Sequence, residues 1–201
     1  LSKARSGYRV AHDRIFDHMM LDGLEDAYEP GRAMGEFGEV AVAKYGFSRA
    51  DQDAYAVETL ARARSAIESG AFADEIVPVP VPGKGGERIV DTDEHPLKVS
   101  PEKIPSLKPA FASGGTITAA SASANADRAP ALVLTRKSLA QREGLPILAE
   151  IRAHATHSQA PAWYTTAPIP GISKLLDKVG WSVGDVDLFE INEAFAVVAM
   201  A

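Results

Sequence analysis

The chain has 201 residues, 46% of them apolar, and 21 Lys+Arg against 27 Asp+Glu give a formal net charge of −6. That length buries a core as one domain or two small ones, and the absence of a basic cluster argues against nucleic acid or an anionic membrane surface as a partner. Cysteine is absent, which excludes disulfides, thiolate metal sites and a cysteine nucleophile among these residues.

No apolar run is long enough to cross a bilayer and no charged-then-apolar signal opens the chain, so no membrane association and a cytoplasmic location are expected. Residues Leu1 to Asp13 are basic and aperiodic and the first residue is not Met, as expected of a segment of something longer. Ile15 to Tyr28, with Phe16, Met19, Met20, Leu21 and Leu24, reads as a short helix or an irregular apolar flap, and core filling is the simplest role for its methionines. Ala33 to Tyr45 reads as a helix stopped at Gly46. Ser48 followed by Asp51 is a capping-box signature for a second helix to about Ser69, with Gly70 as its stop and Arg49, Asp53, Arg62, Arg64 and Glu68 on its solvated face.

From Glu75 to Val81, prolines on alternate positions remove ladder donors and restrict the run to an edge strand, which Gly83–Gly86 turns into Arg88–Val90 as a hairpin. The Gly-Lys-Gly-Gly sequence lacks the Ser/Thr and helix of a phosphate cradle and is read as a turn; Asp91–Glu94 is read as a solvated acidic turn. Pro96 to Pro109 is a Pro- and Lys-rich connection, and Phe111 to Ser123 is a run of glycines and small side chains that permits close backbone approach. Ala129–Leu134 and Ile147–Ala155 read as buried-type strands, Ser138–Arg142 as a short helix closed by Gly144, and Pro168–Gly180 as a helix with Ile172, Leu175, Leu176 and Val179 inward. His154 and His157 would point to opposite faces of their strand, so no metal site is expected.

Val186–Ile191 reads as a last buried strand, and Asn192 then falls where an N-cap would open a helix at Glu193. Such a corner gathers N–H groups and an amide around one point, suited to an anion or a developing oxyanion; taken alone, an ordinary capping Asn is the simpler reading.

The stretch Asp187-Leu-Phe-Glu-Ile-Asn-Glu-Ala-Phe-Ala196 resembles the Asn-Glu-Ala-Phe signature of the thiolase family. Further landmarks match in order: Asp22–Tyr28, Met34-Gly35, the Ser48–Asp53 helix start, Asp91–Glu94, Leu107–Phe111, Thr116–Ala119 and Ala167–Pro170, so the resemblance covers essentially the whole chain. It implies an α/β fold, a layered α/β/α/β/α core only partly present plus the family's loop domain. Residues 1–123 would form the loop domain, 124–150 the end of the N-terminal thiolase half and 151–201 the start of the C-terminal half.

The resemblance also implies an acyltransferase, either an acetyl-CoA acetyltransferase or a 3-ketoacyl-CoA thiolase. Such enzymes work through an acyl-cysteine, with a coenzyme A thioester as substrate and no permanently bound cofactor. Asn192 matches the family asparagine that positions a water in an oxyanion hole, while Leu24, Met34, Phe111, Ala119, Ser123, Ala194 and Phe195 match positions along the coenzyme A path. The family's two cysteines and its Gly-His-Pro histidine have no counterpart among these residues. A homo-oligomer, dimer or tetramer, is implied. Three positions depart from the family pattern: Ala33 where a His often stands, Arg128 in place of Gly, and Tyr164 where a Met commonly lines the acyl pocket. The other reading is a truncated or diverged thiolase-like protein that binds coenzyme A or a partner without catalysis.

Overall fold

The computed structural model describes Gly7, Val10 and residues 14–201; the rest of the basic stretch Leu1–Asp13 lies outside the described residues. Two helices carry the fold. Helix α1 (Met34–Tyr45) opens with the Ala33 N–H donating to the Glu36 carboxylate at 3.1 Å and stops at Gly46, whose φ of 71° is a left-handed conformation that glycine adopts without penalty. Helix α2 (Arg49–Glu68) begins at the expected capping box: the Asp51 N–H donates to Ser48 Oγ at 3.1 Å, and the Ser48 N–H donates back to the Asp51 carboxylate at 2.8 Å.

Strands β1 (Val79–Gly83) and β2 (Gly86–Val90) form the expected antiparallel hairpin, with Val79 opposite Val90 and Gly83 opposite Gly86, although the first strand begins at Val79 and not at Glu75. It is exposed, as prolines on alternate positions require. A short helix α3 (His95–Lys98) and a 3-10 turn, Pro101–Ser106, follow. The later helices are α4 (Lys137–Arg142), α5 (Pro168–Val179) and the short α6 (Ala196–Met200). None of the helices among the described residues is long and apolar enough to cross a membrane.

The core has two parts. In the first, Ala41 and Val42 of α1 meet Ile117, Phe195 and the α6 residues Val197 and Val198, with Phe111 and Tyr164 packed around them. In the second, Ala56 and Leu60 of α2 close over Ile104, which is 1% exposed. The Pro- and Lys-rich connection is therefore packed where the sequence suggests a plain linker. The solvated face expected for α2 also needs correction. Asp53 is buried and paired with Arg49 at 2.8 Å, Arg49 reaches the Ile104 carbonyl at 3.0 Å, and Arg64 donates to the carbonyls of Pro96 and Val99. These arginines satisfy carbonyls of the connection.

Three expected strands are absent. Ala129–Leu134, Ile147–Ala155 and Val186–Ile191 have no regular secondary structure, and Leu132, Leu148 and Leu188 are 85%, 95% and 82% exposed. A buried strand exists only beside a neighbour that completes its ladder, and the sheet among the described residues contains β1 and β2 alone. For the same reason the inner face of α5, Ile172, Leu175, Leu176 and Val179, is only half-buried. The methionine segment is an exposed flap rather than core: it makes a π-helical turn over Met20–Leu24 and leaves Phe16, Met19 and Tyr28 in solvent.

Candidate functional site

Thr118 and Ser121, both buried, close a tight turn in the small-residue run, the Thr118 N–H donating to Ser121 Oγ at 2.9 Å. Upstream, the Glu39 carboxylate of α1 accepts from the N–H groups of Thr116 and Ile117 at 2.7 and 2.8 Å and from the Thr116 hydroxyl at 2.9 Å. A carboxylate taking three donors fixes the run firmly against α1. Gln52 of α2 adds a donor to the same Thr116 hydroxyl at 2.8 Å.

The turn then pairs with the end of the chain. The Ser123 N–H donates to the Ala194 carbonyl at 2.9 Å, the Ala196 N–H donates to the Ser121 carbonyl at 2.8 Å, and Ala122 faces Phe195 across this two-residue antiparallel bridge. Small side chains permit that approach. The seam also corrects the expected cap. Phe195 is extended, with φ −140° and ψ 152°, because its neighbours' backbone groups are engaged with Ser121–Ser123, so α6 starts at Ala196 and Asn192 does not cap it.

A cleft of about 830 Å³ opens between α2, the connection around His95–Leu107, the small-residue turn and the Phe189–Glu193 segment. Ala119, Ser123 and Asn192 all line it. Asn192 is exposed there, and its side-chain amide makes no hydrogen bond to another described residue; only its backbone carbonyl is used, by the Ala194 N–H at 3.0 Å. An amide free to donate into a cleft suits an oxyanion or a water that serves one.

The other expected site residues lie outside this lining. Phe111 and Phe195 form an edge-to-face pair with ring centres 5.6 Å apart, and Phe195 belongs to the core. Phe111 also lies over Gly35, where a Cβ would stand 2.2 Å from the ring, so only glycine fits beside Met34. Met34 is half-buried, its carbonyl accepting from Tyr164 at 3.0 Å; Ala194 contributes through its backbone, and Leu24 sits half-buried in the π-helical turn. Ala119, Ser123 and Asn192 are thus brought together, with Phe195 and Phe111 behind the seam and Leu24 apart from them.

The sequence gives no hint of a further contact. Tyr55 and Thr59 of α2 both donate to the Glu193 carboxylate, at 2.8 and 3.0 Å. Burial, followed by the hydrogen bond and negative charge of Glu193, pushes the Tyr55 phenol up to about 12, so it remains a donor through the neutral range. Spacing of i, i+4 puts the two hydroxyls on one face of α2, but a partner 138 positions away cannot be read from that spacing. No group of three or more His, Asp or Glu among the described residues could hold a metal ion; His157 contacts Gln159 and Lys174 instead.

The small-residue turn at Ser121–Ser123 thus zips onto the Asn-Glu-Ala-Phe corner at Asn192–Phe195. Residues 1–138 match the thiolase N-terminal domain and residues 145–201 the thiolase C-terminal domain, and the chain belongs to the thiolase family. It is 46% identical over 200 residues to a probable acetyl-CoA acetyltransferase of Dictyostelium discoideum, covering 99% of this chain and 48% of that protein. It is 40% identical over 203 residues to the acetyl-CoA acetyltransferase of Syntrophomonas wolfei, covering 100% of this chain and 51% of that protein. Among solved structures, the acetyl-CoA acetyltransferase of Bacillus anthracis superimposes with a TM-score of 0.88 at 36% identity, over 100% of this chain and 50% of that one. The Syntrophomonas wolfei structure gives 0.86 at 33% identity with the same coverage. The chain spans about half the length of the curated relatives it matches.

Proposed function

We propose that this chain supplies one wall of a thiolase-type acyl-transfer site, with an acyl-CoA held along the cleft and the Asn192 amide serving the oxyanion, directly or through a water. The observation that carries this reading is that Asn192 and Ser123, far apart in sequence, line one cleft and are tied by the Ser123 N–H to Ala194 carbonyl bond. In the chemistry proposed, a thiolate takes the acyl group, a second base removes the α-proton of the other thioester, and negative charge develops on carbonyl oxygens. The chain's own part is to bind, orient and stabilise that charge. Ser123 would hold a pantetheine amide and Ala119 would allow close approach; Phe111 and Phe195, which would be apolar walls, stand behind the seam and would act by backing the cleft residues, while Leu24, Met34 and Ala194 lie outside the cleft lining. With no cysteine among the 201 residues, the sulfur chemistry has to come from elsewhere in a full-length protein. Residues 1–123 would then be the loop domain, and the 129–134, 147–155 and 186–191 segments would pair with strands of the remaining core.

The test compares thiolysis of acetoacetyl-CoA by the 201-residue chain and by the full-length protein that contains it. The chain alone is expected to give no turnover. In the full-length protein N192A is expected to lower kcat by about 10²–10³-fold; full activity in N192A would refute the assignment. A second reading, in which the chain binds coenzyme A without catalysis, is favoured by the absence of cysteine. It predicts that calorimetry detects coenzyme A binding to the chain alone and that an S123A substitution weakens it.

A further inference from the structure

Asn192 follows Ile191, which packs against the core around Phe195, but its own side chain is exposed and makes no hydrogen bond to a described residue. Upstream, Val186–Ile191 has no ladder; downstream, backbone pairing begins only at Ala194. Between them the Glu193 side chain reaches α2, where it accepts the Tyr55 hydroxyl at 2.8 Å and the Thr59 hydroxyl at 3.0 Å. Two donors one helical turn apart fix both the position and the rotation of the carboxylate, as a single contact would not. The support is rigid. Helix α2 runs 20 residues, is capped at Ser48, and is buried through Gln52, Ala56 and Leu60. Tyr55 and Thr59 are half-buried and line the same cleft as Asn192.

We propose that Tyr55 and Thr59 are positioning residues: by gripping Glu193 they hold the corner that presents the neighbouring Asn192 amide to the cleft. The catalytic consequence rests on the reading of Asn192 given above. The tether itself does not. In this geometry Glu193 is an acceptor, since both hydroxyls donate to it. A shift of about 1 Å in a group that stabilises charge costs up to about 100-fold in rate while leaving distant binding contacts in place. The expected signature is therefore a loss in kcat at nearly constant KM.

Two measurements test this. In the 201-residue chain, hydrogen exchange at the Ala194 and Ala196 amides is expected to quicken about tenfold or more in Y55F/T59V, with helix α1 unchanged; equal exchange in wild type and variant would overturn the tether. In the full-length protein, Y55F/T59V and E193A are expected to lose about 10- to 100-fold in kcat, with KM for acetoacetyl-CoA within about twofold and no additivity between them. E193Q, whose amide oxygen in the place of Oε1 keeps both hydroxyls within reach, Tyr55 at 2.8 Å and Thr59 at 3.3 Å, is expected to recover most of that loss. An E193Q protein as impaired as E193A would make Glu193 an acid–base group and overturn the positioning role, as would a loss that appears only in KM. If the full-length protein does not turn over at all, the functional reading fails, and the exchange measurement still decides the tether.

Discussion

Two regions of this chain have similar apolar content and opposite fates. Around α1, α2 and α6, residues such as Phe37, Ile104, Ile117 and Val197 are at most 2% exposed; in the 129–134, 147–155 and 186–191 segments, Val133, Leu148 and Leu188 are at least 82% exposed. The difference is not hydrophobicity. It is whether a partner lies within reach. A helix satisfies its own backbone and needs only a face to bury, whereas a buried strand needs neighbours on both edges before burial is tolerable. Helical parts of the fold close locally, and strand parts wait for the rest of their sheet.

Replacing Phe37 should expose the contrast most sharply. Its ring is 2% exposed, packs edge-to-face on Tyr164 at 6.2 Å and lies under the Arg32 guanidinium at 4.0 Å. F37A is expected to destabilise the chain by about 3–5 kcal/mol in urea titration, with loss of the cooperative transition as the extreme outcome. A loss below about 1 kcal/mol would mean that the helical region is no better packed than the exposed segments.

A mid-sized effect is expected at the start of α2. Removing the Ser48 hydroxyl leaves the Asp51 N–H without its acceptor, and S48A should cost about 1 kcal/mol by thermal melting. The exposed segments should respond far less: L132A and L148A in the 201-residue chain are expected to stay within about 0.5 kcal/mol of wild type. A cost comparable to F37A at Leu132 would show that this segment is covered in solution, by another copy or by its own chain, and the contrast would collapse.

What could be read from sequence follows the same division. The capping box at Ser48–Asp51, the helix stop at Gly46 and the Gly83–Gly86 turn are local, since each residue's chemistry fixes its own backbone, and all three are found. The segments 129–134, 147–155 and 186–191 are legible as apolar runs but are not strands here, because periodicity reports what a segment can bury and not whether a neighbour is present. At the site, Asn192, Ser123 and Ala119 could be picked out by their resemblance to a family motif, and they share a cleft. The Tyr55–Glu193 and Glu39–Thr116 contacts join residues far apart in the chain, and nothing in either local sequence announces the other.

The smallest expected effect tests whether the hairpin belongs to the closed region or merely hangs from it. Glu94 accepts from Arg88 of β2 at 2.6 Å and from Lys98 of α3 at 2.5 Å, and these two cations hold its carboxyl down at about 2, against an ordinary value of 4.5. Because the folded-state value is depressed, any stabilisation is fully present above pH 4.5 and is lost as pH falls from there through about 2. All three side chains face solvent, so the contribution is small and salt-screened. Wild type and E94Q are therefore expected to differ slightly in melting temperature near pH 7 at low salt, to converge as pH approaches 2, and to converge also in about 1 M salt. A difference that survives both acid and salt would mean that Glu94 acts through packing rather than charge. The hairpin would then be part of the closed helical region, although its strands are exposed throughout almost their whole length.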